Sequence, residues 1–143
     1  MELTRIRPRC AIYFGAQVLV GDYENGKVYG YSTTTYSDNG EALPAIRSCS
    51  VLQNGLEEQP TATLTLDMDV GVGLSSGADP SAILRTSKNG GKTWSNELTR
   101  SIGKVGEYDK RVIWNRVGGG RKTVFEVVIT DPVQRDITGA FIS

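Results

Sequence analysis

Histidine is missing from the 143-residue chain, and that removes Ser/His and Cys/His nucleophilic sites together with every metal site built on imidazole. Cysteine is scarce. Cys10 and Cys49 stand too far apart in sequence for a Cys-x-x-Cys metal or redox pair, and they read as reduced thiols buried as small hydrophobes. Sequence fixes no Cα separation between them, so a disulfide stays open. Net charge is also absent, with 16 Lys and Arg against 16 Asp and Glu, which argues against bulk attraction to nucleic acid or an anionic membrane. No run approaches the roughly 18 apolar residues of a membrane helix. The basic start at Arg5, Arg7 and Arg9 is not followed by an apolar stretch of signal-peptide length. The expectation is a soluble chain made in the cytoplasm, without a membrane partner, a metal or a cofactor. Its length suits one domain, or one domain with a fragment of another.

What is present is glycine, 17 residues of it, separating short runs rich in Val, Ile, Thr and Tyr that suit pleated, half-buried strands. Cys10–Phe14, Gln17–Val20 and Lys27–Thr33 read as a β-meander, with Asn25-Gly26 as a tight turn. Tyr36–Gly40 is a further turn cluster, and Pro44 introduces the run Ala45–Leu52. The polar stretch from Gln53 to Pro60 reads as a loop or boundary. Ala62–Val70 alternates strictly, with Ala62, Leu64, Leu66, Met68 and Val70 on the core face and Thr63, Thr65, Asp67 and Asp69 on the wet one. Further strands are expected at Ala82–Ser87, Trp94–Ser101, Arg111–Trp114, Val124–Thr130 and Thr138–Ile142, around a core that includes Leu64, Leu66, Trp94, Trp114, Phe125, Val127 and Ile129. No segment keeps a helical period. The fold class is therefore all-β: an antiparallel sandwich-like domain over residues 45–143, preceded by meander strands in residues 1–44.

Several motifs imitate chemistry without completing it. Gly91-Lys92-Thr93 ends like a phosphate-binding loop, but the partner glycine position holds Thr86 and no helix follows. Gly71-Val72-Gly73 has Ser76 where a dinucleotide fingerprint needs glycine. Asp67 and Asp69 share a strand face, as the solvated side of any amphipathic strand does. Gly118-Gly119-Gly120, between Arg116 and Arg121, reads as a hairpin joining Trp114 to Val124 rather than an anion nest.

Ser87-Lys88-Asn89-Gly90-Gly91-Lys92-Thr93-Trp94 resembles the Asp-box, a hairpin turn recurring in sialidases and other β-rich proteins, with Asn89 where Asp is usual. Its structural residues are Ser87, Asn89, Gly91, Thr93 and Trp94. The physics is local: Asn89 can accept from nearby backbone amides and Gly91 can take positive φ. Such a box predicts a hairpin, not hydrolysis.

Read in order, Gly21–Tyr29, Tyr36–Gly40, Asp67–Leu74, Asp79-Pro80, Ser87–Glu97, Gly103–Tyr108, Arg111–Trp114, Val124–Val127 and Thr130–Val133 resemble the C-terminal region of the packaged-DNA stabilisation proteins of short-tailed phages, also called tail accessory or hub proteins. The resemblance covers about residues 15–143. It implies a non-enzymatic virion component that forms a ring below the portal, retains DNA and contacts portal and other tail proteins. It also implies that residues 1–44 are the last strands of a β-propeller whose other blades are missing here. Loops such as Gly71–Pro80 and Gly103–Asp109 are then expected to meet neighbouring subunits, with Tyr108 as the candidate aromatic anchor and a plain surface tyrosine as the alternative. A second reading is a carbohydrate- or receptor-binding module, suggested by the Asp-box. A third is DNA contact through Arg5, Arg7, Arg9, Arg116 and Arg121, which net charge does not support.

Overall fold

A computed structural model describes residues 7–74 and 77–143. Every regular element in it is a strand, and the chain divides into two compact units between Thr35 and Tyr36.

In the first unit β1 (Pro8–Phe14), β2 (Gln17–Asp22) and β3 (Val28–Gly30) form one antiparallel sheet in the order β1-β2-β3. Gly15 and Ala16, both at positive φ, close the first hairpin as a two-residue turn whose twist matches that of the strands. In the second hairpin Gly26 is at positive φ, and Asn25 Oδ1 accepts from the Lys27 amide at 2.9 Å. None of residues 7–35 is buried. This corrects the expectation for Cys10, whose strand has no core to enter; Cys49 is exposed as well, and both are free thiols.

The second unit opens with a two-strand hairpin, β4 (Ser37–Asp38) and β5 (Glu41–Ala42), turning through Asn39 and Gly40 at positive φ. Asn-Gly supplies both left-handed positions that such a turn needs. Arg135 holds this segment: its guanidinium donates to the carbonyls of Tyr36 and Leu43 and lies over the Tyr36 ring, and burial lowers its pKa.

Two sheets then face each other. One runs β10 (Val112–Asn115), β7 (Thr63–Met68), β12 (Ile137–Ile142); the other runs β6 (Ala45–Ser48), β11 (Val124–Ile129), β8 (Ser81–Ser87), β9 (Leu98–Ser101). All pairings are antiparallel. Alternation sends Leu64, Leu66 and Met68 of β7 and Val112 and Trp114 of β10 inward, against Ala82 and Leu84 of β8 and Phe125, Val127 and Ile129 of β11. Trp114 is fully buried, and its indole Nε1 donates to the Leu98 carbonyl at 2.7 Å, which ties one sheet to the edge of the other. The core expected from the pattern is thus present except for Trp94 and for Ala62, which precedes β7 and is exposed; Val70, just past the end of β7, is partly buried against it.

Trp94 is only half-buried. The turn after β8 delivers it to the outer side of that strand, where the Arg85 guanidinium lies 5.5 Å over its ring. Gly118–Gly120 also differ from the hairpin reading. β10 and β11 belong to different sheets, so this segment crosses between layers, and Gly120 bridges Gln59 on the way. A Cβ at Gly119 would fall inside the Gln59 carbonyl, and this close crossing is why glycine is required there.

Candidate interaction surface

The loops after β7 and after β9 lie against each other. Gly71 donates its amide to Ile102 O at 3.3 Å and accepts from Gly106 N at 3.1 Å, so the contact is backbone to backbone. Gly71 and Gly73 are both at positive φ, and a Cβ at Gly71 would stand 2.9 Å from Tyr108 Cδ1. At Gly73 it would collide with the backbone of Val105. Glycine is needed twice, for conformation and for approach.

Polar bonds fix the rest of the second loop. Ser101 Oγ donates to Asp79 Oδ1 at 2.5 Å and accepts from Gly103 N at 3.1 Å, linking the two loops at their base. Glu107 Oε2 accepts from the Lys104 amide at 3.0 Å and from Lys110 Nζ at 3.1 Å. These two bonds, the backbone one first, hold the Glu107 carboxyl below its ordinary pKa. On this braced base Tyr108 is 70% exposed and Val105 63% exposed. The two loops named from sequence thus pack against each other, and Tyr108 is exposed beside the contact. Ser75 and Ser76 lie outside the described residues. The glycine spacing drew attention to the loops; that they touch depends on β9 and β10 meeting at the sandwich edge, which no local pattern records.

The Asp-box-like segment is one closed network. Asn89 Oδ1 accepts from Ser87 Oγ at 2.9 Å, Lys92 N at 3.1 Å and Thr93 N at 2.9 Å, while Asn89 Nδ2 donates to Thr93 Oγ1 at 2.8 Å. Gly91 N donates to Ser87 Oγ at 2.8 Å, and Gly90 and Gly91 are both at positive φ. Gly90 N also donates to Lys122 O at 2.9 Å, which anchors the turn to the chain entering β11. Ser87, Asn89, Gly91 and Thr93 are therefore brought together, and Trp94 is set beside Arg85. These bonds join the polar groups of the turn to one another and close the chain reversal after β8.

A further cluster is not apparent from motif reading. On the outer face of the four-stranded sheet Arg85 forms an ion pair with Glu126, which also accepts from Ser48 Oγ at 3.3 Å. With Trp94 this makes a row across β8, β11 and β6. Its sequence signal is one charge of each sign inside the apolar runs Ala82–Ser87 and Val124–Ile129.

Asp67 and Asp69 are exposed, and among the described residues no group of three or more His, Cys, Asp or Glu side chains could hold a metal ion. Arg116 and Arg121 are exposed on the crossing segment, Arg7 lies 3.6 Å from Glu24, and Arg5 falls outside the described residues. Among the described residues no helix is long and apolar enough to cross a membrane.

No curated protein matches the chain. The profile of a family described as "Bacteriophage P22 Gp10, beta-sandwich" matches residues 49–143, the span holding β7 to β12 and both contacting loops. That match covers well over half of the sequence and agrees with the two facing sheets, and the chain belongs to this phage β-sandwich family.

Proposed function

We propose that the chain is a non-catalytic structural component of a phage or prophage tail, part of the ring below the portal that stabilises packaged DNA and scaffolds further tail proteins. In this reading residues 45–143 form the domain that presents contacts and residues 1–44 the segment leading into it. The observation that carries it is the double-loop surface: Gly71 and Gly73 let two backbones pack directly, so Val105 and Tyr108 project from a braced base and not from a free loop. Exposed aromatic side chains on rigid supports are the usual anchors of protein interfaces. The partners are portal and other tail proteins, and the place of action is the virion.

The test is addition of the purified chain to DNA-filled heads that lack it, with binding followed by co-sedimentation. Wild type should bind, and Tyr108→Ala should bind at least about tenfold more weakly, as for an interface anchor. Equal binding of Tyr108→Ala would remove the surface from the reading. Failure to bind heads, with specific retention on a glycan panel, would favour the carbohydrate-binding alternative.

A further inference from the structure

The sandwich collects cations at the end opposite its two contacting loops. Those loops join the strand ends at Met68, Ser81, Ser101 and Val112, whereas β8 leaves the other end at Ser87, β10 leaves it at Asn115 and β11 enters from it at Val124. The segments beyond these strand ends are tied together. Gly90 N donates to Lys122 O at 2.9 Å, Asn89 bridges Lys122, and Arg116 N donates to Ala62 O at 2.6 Å. Lys88 Nζ lies 3.6 Å from the place that a Cβ on Gly118 would take. Lys88, Lys92, Arg116, Arg121 and Lys122 are thereby drawn to one end, and all of them are exposed.

Among the described residues none of these cations is in an ion pair, although Glu57 and Glu58 stand in the adjoining loop that reaches Gly120 through Gln59. A chain of zero net charge therefore carries a local positive excess, and it is the local field that a polyanion meets. Arg116 adds a second observation. Its φ is 57°, a left-handed conformation that is costly without glycine, and unlike Ala16 and Asn39 it closes no two-residue hairpin.

Composition separates a nucleic-acid partner from a protein one. Between residues 88 and 93 and between residues 115 and 122 no large hydrophobic side chain is exposed, so this end has charge without the apolar anchors of a protein interface. Gly90, Gly91, Gly118 and Gly119 stand between the cations and let a rigid polyanion come close. We propose that Lys88, Lys92, Arg116, Arg121 and Lys122 bind the phosphate backbone of duplex DNA, without reading its sequence. This site is separate from the Tyr108 surface and goes beyond the tail reading: one end of the sandwich faces protein and the other faces DNA.

Fluorescence anisotropy of a short labelled duplex titrated with the full chain should give a dissociation constant of roughly 1–100 μM near physiological salt. The association constant should fall with salt at a logarithmic slope of about −4.5, the value for five phosphate contacts, and duplexes of unrelated sequence should bind alike. Arg121→Ala and Lys122→Ala should each weaken binding about three- to tenfold and reduce the size of the slope by about 1. Arg116→Gly should do the same with an unchanged or higher melting temperature, because glycine takes that φ freely, which separates lost binding from lost folding. Glu57→Gln with Glu58→Gln should strengthen binding, and Lys104→Ala, at the loop end, should leave it unchanged. No binding, a constant indifferent to salt, or indifference to the three cation substitutions would each overturn the proposal. Tighter binding of polyglutamate than of the duplex would overturn it in favour of an acidic protein. The titration contains no phage heads, so its failure leaves the tail reading standing, and failure to bind heads leaves this site standing.

Discussion

Asn89 is the residue on which the turn after β8 depends, because one side-chain oxygen takes three donors. Asn89→Ala leaves the Lys92 and Thr93 amides without this acceptor, and urea unfolding should show a loss of about 1–2 kcal/mol, as for a lost capping side chain. Asn89→Asp keeps the acceptor and adds charge to its bonds, so it should be neutral or stabilising by about 1 kcal/mol at pH 7. Loss of stability on introducing Asp would show that the amide donation to Thr93 dominates. Glu107 makes a related point about pH. Its folded pKa is depressed, so its support of the Lys104 amide is complete above the ordinary carboxylate pKa and is lost as pH falls through the lower folded value. Protection of the Lys104 amide, its exchange rate compared with the intrinsic rate at each pH, should fall over that acid range, and Glu107→Gln should already show reduced protection at neutral pH.

Between elements, the informative positions are those where two strands must share space. Gly119 crosses beneath Gln59, and Gly119→Ala should cost more than about 3 kcal/mol or prevent folding, because backbone must move to admit the Cβ. Gly55 has positive φ but open surroundings, so Gly55→Ala should cost only about 1–2 kcal/mol from conformation alone. Similar losses in thermal melts would refute the steric account. The Arg85–Glu126 pair across β8 and β11 makes the complementary case. Removing one partner alone, as in Glu126→Ala, should destabilise by about 1–3 kcal/mol, a value discounted because Arg85 keeps partial contact with solvent. Arg85→Leu with Glu126→Leu should recover most of that loss, and a double-mutant cycle measures the coupling.

These elements also show what was readable in advance. Leu64, Leu66 and Met68 announce their shared face because a strand repeats every two residues, and Phe125, Val127 and Ile129 do the same. Asn39-Gly40 announces its turn because few residues tolerate positive φ. Trp94 misled because hydrophobicity predicts burial but not side, and turn length decided the side. Gly118–Gly120 misled because a glycine run between two strands reads as a hairpin, whereas the pairing of β10 with β7 is a non-local choice. The ion pair needed Arg85 and Glu126 to be placed opposite each other across 41 residues, and only strand register does that.

For the molecule as a whole, the two units differ in kind. The second has a continuous core from both sheets, whereas none of residues 7–35 is buried. A three-stranded sheet with both faces wet lacks the burial that would offset its ordering entropy, so its stability should be local and low. Hydrogen exchange should therefore be graded within one chain. Amides of β1 to β3 should exchange orders of magnitude faster than those of β7, β8 and β11, which open only with the core. A fragment of residues 36–143 should keep the melting temperature of the full chain, since it retains every buried hydrophobic residue of the core. A marked fall in that temperature would mean that the first sheet stabilises the sandwich, and the two units would then have to be treated as one cooperative fold.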